Sequence, residues 1–237
     1  MQAVVLAGGL ATRMRPRTLT LPKSMLEVAG RPFVDWQLER LAESGIRDVV
    51  MCIAHLGEQI RAHVGGGERH GLRVAWSDEG GKLLGTAGAL RAALHLLSPS
   101  FLVTYGDSYL PFDYAEPLRI LDAHDDCDGV MAVYKNDGKW DPSNVVTDGE
   151  WVIRYEKGTR EPAFDHIDYG ATALRRKVIE TLPAGEFHGL DDIGSGLAQR
   201  KRLRACRARD RFFEIGSPEG LAELERNLRA RAEHQVP

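Results

Sequence analysis

The sequence predicts an α/β protein built on a mixed, mostly parallel sheet with helices on both faces. Two observations carry that expectation. Short apolar runs at 3–7, 49–54, 72–76 and 101–105 alternate with segments whose apolar residues recur at helical spacing. Strands and helices alternating in units this short argue for parallel strands covered on both faces. A chain of 237 residues with 43% hydrophobic residues is large enough for one core, so 1–237 is expected to be a single domain with halves at about 1–110 and about 111–237.

Taken in order, the run 3–7 breaks into Gly8-Gly9, and Arg13 and then Pro22-Lys23 follow. Adjacent glycines after a buried strand permit positive φ and a close approach of backbone N–H groups to a ligand, while the two cations suit a polyphosphate. The plainer alternative is a surface turn with exposed cations. No Gly-x-x-x-x-Gly-Lys-Ser/Thr and no Gly-x-Gly-x-x-Gly occurs at this turn. Pro32 then precedes a helix marked by Phe33, Val34, Leu38 and Leu41 that closes at Gly45, with proline near the start and glycine past the end. Residues 57–64 read as a short helix running into Gly65-Gly66-Gly67. The loop 81–88 feeds a helix marked by Ala87, Leu90, Ala93, Leu94 and Leu97, and Thr86 at its start suits either a cap or a contact to a flat heterocycle.

The strand 101–105 ends in Gly106-Asp107. Ligands of open α/β sheets sit beyond the carboxyl ends of the strands, so Asp107 is a candidate metal ligand, with ordinary turn chemistry as the alternative. Residues 114–124 suit a helix with Pro117 in its first turn, and 130–134 a strand. The acidic stretch Asp125-Asp126-Cys127-Asp128 reads as a solvated connector, because four consecutive residues cannot all face one ion. Extended segments at 152–155 and 165–171 follow; His166 and Asp168 share one side of the second and are expected to form a hydrogen-bonded, partly buried pair, with contact to a substrate as the alternative. Asp191-Asp192 are expected to cap a helix. The run 200–211 alternates cations with Leu203, Ala205, Cys206 and Ala208, as a strand with one wet basic face would. Ser217 caps a last helix, with Pro218 in its first turn and Leu221, Leu224 and Leu228 on its buried stripe.

Composition narrows the partners. A net charge of -3 gives no general attraction to nucleic acid or to anionic membranes, and the cationic run lacks the aromatics of a nucleic-acid platform. Three widely spaced cysteines form neither a Cys-x-x-Cys pair nor a secreted framework. No apolar run approaches the roughly 20 residues of a membrane span, and the start lacks a signal peptide, so the expected location is the cytoplasm.

Several of these stretches together resemble one family. Gly8-Gly9-Leu10-Ala11-Thr12-Arg13-Met14 with Pro22-Lys23 is similar to the amino-terminal motif of the sugar-1-phosphate nucleotidyltransferases, the nucleotide-sugar pyrophosphorylases, with Ala11 where that family usually has a third glycine. Leu84-Gly85-Thr86-Ala87-Gly88 resembles its nucleobase-contacting segment, and Gly106-Asp107 its metal-binding Gly-Asp. Glu156-Lys157 resembles its Glu-Lys pair, though Gly158 follows instead of proline, and the stretch around Gly170 its later substrate strand. Phe213-Glu214-Ile215-Gly216-Ser217-Pro218-Glu219 resembles its closing motif, with Glu214 at the usual aspartate.

The resemblance implies a Rossmann-like catalytic core without a C-terminal β-helix. It also implies a reaction of NTP with a sugar 1-phosphate, giving NDP-sugar and pyrophosphate. By the same resemblance Arg13 and Lys23 are catalytic, and Leu6, Ala7, Gly8, Gly9, Thr12, Gly85, Thr86 and Gly88 bind the nucleotide. Tyr105, Asn144, Glu156, Lys157 and Gly170 bind the sugar phosphate, and Asp107 and Glu214 hold Mg²⁺. The core-only length and the Gly-Thr-Ala-Gly loop look most like the heptose-1-phosphate guanylyltransferases, which favours GTP, with CTP or UTP as alternatives. A homo-oligomer is left open. Two other readings remain: a cytidylyltransferase for a non-sugar phosphate such as phosphocholine, and a regulatory subunit that binds nucleotide-sugar without catalysis.

Overall fold

A computed structural model describes residues 1–234 of the chain; 235–237 of the expected domain lie outside the described residues. In chain order the elements are β1 (Gln2–Leu6), β2 (Glu27–Val28), β3 (Arg31–Pro32), α1 (Phe33–Glu43), β4 (Asp48–Ile53), α2 (Gly57–Val64) and β5 (Arg73–Asp78). Next come α3 (Gly85–Ala92), β6 (Ser100–Tyr105), β7 (Ser108–Tyr109), α4 (Glu116–Ala123), β8 (Gly129–Lys135), β9 (Val145–Asp148) and β10 (Trp151–Tyr155). The chain closes with β11 (His166–Arg175), α5 (Arg176–Glu180), α6 (Leu190–Gln199), β12 (Leu203–Ala208), β13 (Phe213–Glu214) and α7 (Pro218–His234).

One nine-stranded mixed sheet organises them in the order β5-β4-β1-β6-β11-β8-β12-β10-β9. The amino-terminal strands β5, β4, β1 and β6 are parallel neighbours, as their continuous apolar runs predict. In the carboxyl-terminal half, β8 and β12 pair in parallel, whereas β11 runs antiparallel to both β6 and β8. Because β1, β4, β5 and β6 point the same way, Gly8, Ala54, Glu79 and Asp107 all emerge at one edge.

Alternate residues of each central strand feed cores on opposite faces. Ala3 and Val5 pack with Leu38 and Leu41 of α1, Ile60 of α2 and Leu118 of α4. Val4 packs on the other face with Leu90 of α3 and Leu197 of α6. A third cluster joins Met14, Leu26, Val28 and Phe33 to Ile215 and to Leu221, Leu224 and Leu228 of α7. This last cluster docks the chain's end beside its first loop. Truncating the fully buried Leu224 to alanine there is worth about 2–5 kcal/mol.

Cys52, Cys127 and Cys206 are buried free thiols. Among the described residues no helix is long and apolar enough to cross a membrane. Local expectations are corrected at several points. Asp191 and Asp192 lie in the first turn of α6 and Gly189 is its N-cap, with no side-chain cap of its own. The acidic connector is not merely solvated: Asp126 pairs with Arg204, and Asp128 pairs with Arg202 and Lys177 and is held at about 2, chiefly by the Arg202 hydrogen bond. Arg204, 8% exposed, also pairs with Glu150, so this cation of β12 is buried and neutralised, while Arg207 stays exposed. His166 and Asp168 do not bond each other, since His166 Nδ1 meets Asp165 Oδ1 and Asp168 meets Tyr155. Ser217 does cap α7: Gly220 N donates to its Oγ at 3.1 Å.

Candidate active site

The cleft at the carboxyl edge of β1, β5 and β6 encloses about 310 Å³. Its floor is Leu6, Ala7, Gly8 and Gly9, one wall is Gly85 and Thr86, and the far rim is Tyr105, Gly106, Asp107 and Lys23. Gly8 sits in a crowded corner: a Cβ there would lie 2.9 Å from Glu79 Oε1 and 3.1 Å from Ala54 Cβ. A Cβ on Gly9 would meet open space, which leaves the backbone accessible.

Ala11, also lining the cleft, adopts the left-handed conformation with φ 48° and ψ 43°. The loop therefore keeps the backbone that a glycine would take without strain, at a cost of about 1–2 kcal/mol for an L side chain. Thr18 Oγ1 donates to Ala11 O at 2.8 Å and Met14 N donates to the same carbonyl at 3.1 Å, so the strained turn is held from within its own loop.

Lys23 Nζ lies 2.6 Å from Asp107 Oδ2. The turn carrying Asp107 is fixed on several sides. Ser24 Oγ donates to Gly106 O at 3.0 Å, and the buried Gln37 amide donates to Tyr105 O and Ser108 O at 2.7 and 3.1 Å. Ile215 N donates to Asp107 O at 3.0 Å. Antiparallel pairing of β7 with β13 sets Glu214 opposite Ser108, and so beside Asp107. Burial, then the negative charges of Asp107 and Asp141, push the Glu214 carboxyl up to about 7 against the opposing pull of Lys23 and Arg13. Arg13 is exposed, and its Nη2 lies 3.1 Å from where a Gly216 Cβ would stand, so Gly216 leaves room for the guanidinium. The first motif and the last thus meet through side chains as well as through the α7 cluster.

The wall at α3 departs from the expected open helix terminus. Ala87 N and Gly88 N both donate to His188 O, at 2.9 and 3.2 Å, so only the Gly85 and Thr86 amides of the first turn lack such a partner. Thr86 Oγ1 accepts the Leu190 N–H at 2.7 Å, capping α6 across the cleft wall rather than its own helix. Gly88 does not line the cleft; a Cβ there would lie 2.8 Å from Glu186 O. Thr12 is exposed and outside the lining.

The residues expected on the sugar phosphate form a second group. Asp168 takes hydrogen bonds from Tyr155 Oη and Gly170 N, each at 3.0 Å, while its own N donates to Asn144 Oδ1 at 2.8 Å. Burial holds its carboxyl above the usual range, with Lys157 among the groups pulling it down. Gly170, at φ +91°, sits where β11 slips register against β8, and faces Ser108 and Tyr105. Tyr105 bridges the two groups: burial raises its hydroxyl first, with Asp168, Asp191, Asp107 and Glu214 all adding negative charge. Glu156 and Lys157 are exposed and outside the cleft lining; Glu156 Oε2 lies 3.6 Å from Arg154.

Sequence reasoning missed Glu79 and Phe187, which also line the cleft. Glu79 Oε2 accepts the Leu84 N–H at 3.0 Å, and burial raises its carboxyl. Its position just past β5, on the edge shared with Asp107, is the signal that could have found it. Phe187 arrives through long-range contacts that no local pattern announces.

The nucleotidyl transferase family model matches residues 2–229. Among curated proteins, the N-acetylmuramate alpha-1-phosphate uridylyltransferase of Neisseria meningitidis serogroup B is 43% identical over 115 residues, 48% of this chain and 50% of that protein. The mannose-1-phosphate guanylyltransferase of Mycobacterium tuberculosis is 32% identical over 186 residues, covering 77% of this chain and 51% of that protein. The chain spans about half the length of these relatives. In fold it is similar to a solved Bacillus anthracis protein described as a glucose-1-phosphate thymidylyltransferase, with TM-score 0.85, 19% identity, and 97% and 96% of the two chains covered.

Proposed function

This chain belongs to the nucleotidyl transferase family, and from that premise we propose that it joins a sugar 1-phosphate to an NTP, releasing pyrophosphate and an NDP-sugar. One observation carries the proposal: Lys23 and Asp107 pair on the rim of a cleft floored by Gly8 and Gly9, and Glu214 lies next to Asp107 with Arg13 close by, just outside the lining. Cations and paired carboxylates at the mouth of a glycine-floored pocket suit a polyphosphate.

In the proposed reaction, a phosphate oxygen of the sugar attacks the α-phosphorus in line with the departing pyrophosphate. That nucleophile is already anionic at neutral pH, so no side chain need remove a proton. The barrier is the approach of two anions, which positioning and charge neutralisation lower. Lys23 is assigned to the nucleotide phosphates, Arg13 to the departing pyrophosphate and Lys157 to the sugar phosphate. Leu6, Ala7, Gly8, Gly9, Gly85 and Thr86 are assigned to the nucleotide, and Tyr105, Asn144 and Gly170 to the sugar half.

The donor set also fits Mg²⁺. Glu214, whose carboxyl is raised first by burial and then by the negative charge of Asp107, and Asp107 itself offer hard oxygen donors side by side. Among the described residues no group of three or more His, Cys, Asp or Glu is placed to hold a metal; one or two carboxylates completed by phosphate oxygens is the arrangement Mg²⁺ favours. Asp107 and Glu214 would hold the ion, which when bound polarises phosphoryl oxygens and neutralises their charge.

The relatives' names divide between uridylyl and guanylyl transfer, so the base is set by experiment. Four NTPs are assayed against several sugar 1-phosphates and phosphocholine, with pyrophosphate release as the readout. The proposal expects release with a sugar 1-phosphate. Release only with CTP and phosphocholine would replace the acceptor, and tight NDP-sugar binding without pyrophosphate exchange would establish a regulatory subunit instead.

A further inference from the structure

Phe187 is 72% exposed, the most exposed large hydrophobic side chain among the described residues, yet its ring lines the cleft. Leu83, 45% exposed, lines the cleft with it. An aromatic ring left in water forgoes the burial that usually places it, so packing within the protein does not account for its position.

Its backbone, by contrast, is firmly held. Lys82 Nζ donates to Gly185 O, His188 N donates to Leu84 O at 2.9 Å, and the Ala87 and Gly88 amides return to His188 O. The Leu190 N–H to Thr86 Oγ1 bond closes the same seam. Two ring carbons of Phe187 lie 3.0 Å from where a Gly85 Cβ would stand, so the ring lies over Gly85. The Gly85 and Thr86 amides and the Glu79 side chain line the same cleft. A flat apolar face next to donors and an acceptor matches a ligand that is planar, aromatic and polar at its edge.

We propose that Phe187 is the stacking platform for the nucleobase, so that the carboxyl-terminal half of the chain supplies one wall of the base site. This rests on the reading of the cleft as a nucleotide site. Stacking grips the π-face of any base, so Phe187 contributes affinity for NTPs in general and leaves the choice among bases to the polar edge.

The test compares binding of the four NTPs with binding of inorganic triphosphate, which has no base, by calorimetry on wild type, Phe187→Ala and Phe187→Trp. We expect Phe187→Ala to weaken NTP binding about 10-fold or more, to leave triphosphate binding and thermal unfolding unchanged, and Phe187→Trp to restore NTP affinity. Wild-type NTP affinity in Phe187→Ala, or equal losses for NTP and triphosphate, overturns the stacking role. A Phe187→Ala protein that does not fold, together with a folded Phe187→Trp that binds NTP no better than triphosphate, overturns it too. A wild-type protein that binds no NTP more tightly than triphosphate overturns the nucleotide reading itself, which is a separate result.

Discussion

Lys23 Nζ sits 2.6 Å from Asp107 Oδ2, so the cation assigned to nucleotide phosphates and the carboxylate assigned to a metal hold one another. The side chains are 16% and 29% exposed, which leaves both within reach of an incoming ligand. Ligand binding in the proposed mechanism exchanges this pair for Lys23–phosphate contacts. Lys23→Ala is expected to lose about 3 kcal/mol of transition-state binding, roughly a hundredfold in kcat/KM, as deletion of a preorganised donor does. Steady-state kinetics checks this, and near-normal turnover would remove Lys23 from the chemistry.

Glu214 gives a pH prediction. Its folded-state pKa, about 7, lies above the ordinary 4.5, so between those values the folded protein binds the extra proton. Stability contributed by this group is therefore present at low pH and lost as pH rises through about 7, by up to about 3 kcal/mol. Denaturant unfolding of metal-free protein at pH 5 and pH 8 should show that loss for wild type, and a smaller one for Glu214→Gln. Identical pH dependence in both proteins would mean Glu214 is not the group responsible.

Ala11 tests whether the absent glycine matters. Since its backbone is already left-handed, Ala11→Gly relieves strain while adding chain entropy to the unfolded state. The two effects nearly cancel or leave a gain below about 1 kcal/mol. Ala11→Val places a β-branched side chain in that region and should cost more than about 1 kcal/mol. Thermal unfolding of the two variants decides; a marked loss in Ala11→Gly would show that the methyl group is needed for packing.

Thr86→Val removes the acceptor of the Leu190 N–H and should cost about 1–2 kcal/mol of stability, whereas Thr86→Ser should retain most of it. Equal stability of all three proteins in urea would mean that α6 does not depend on this cap.

The amino-terminal half was legible because its signals are local: apolar runs, Gly8-Gly9, and a carboxylate just past β6 that parallel strands must deliver to one edge. Glu214 was legible as a candidate only through its flanking pattern; what brings it beside Asp107 is the β7–β13 pairing and the α7 cluster. Less legible was everything set by distant partners. Thr86 caps a helix 104 residues away, Asp168 finds Tyr155 rather than its strand neighbour His166, and the acidic connector finds its arginines and lysine across the fold. Spacing along one segment carries no information about such pairings. Ala11 shows the complementary limit: its residue type does not mark the left-handed backbone that its own loop's hydrogen bonds stabilise, and only its place at the resembled family's third glycine pointed there.

The most direct test of the proposed activity is pyrophosphate release from NTP and sugar 1-phosphate with Mg²⁺, run side by side on wild type and on Asp107→Ala shown to be folded by circular dichroism. Wild type should form one NDP-sugar per pyrophosphate released, and the variant none. Turnover by Asp107→Ala at ordinary Mg²⁺, or no release by wild type with any of the four NTPs, would contradict the proposal.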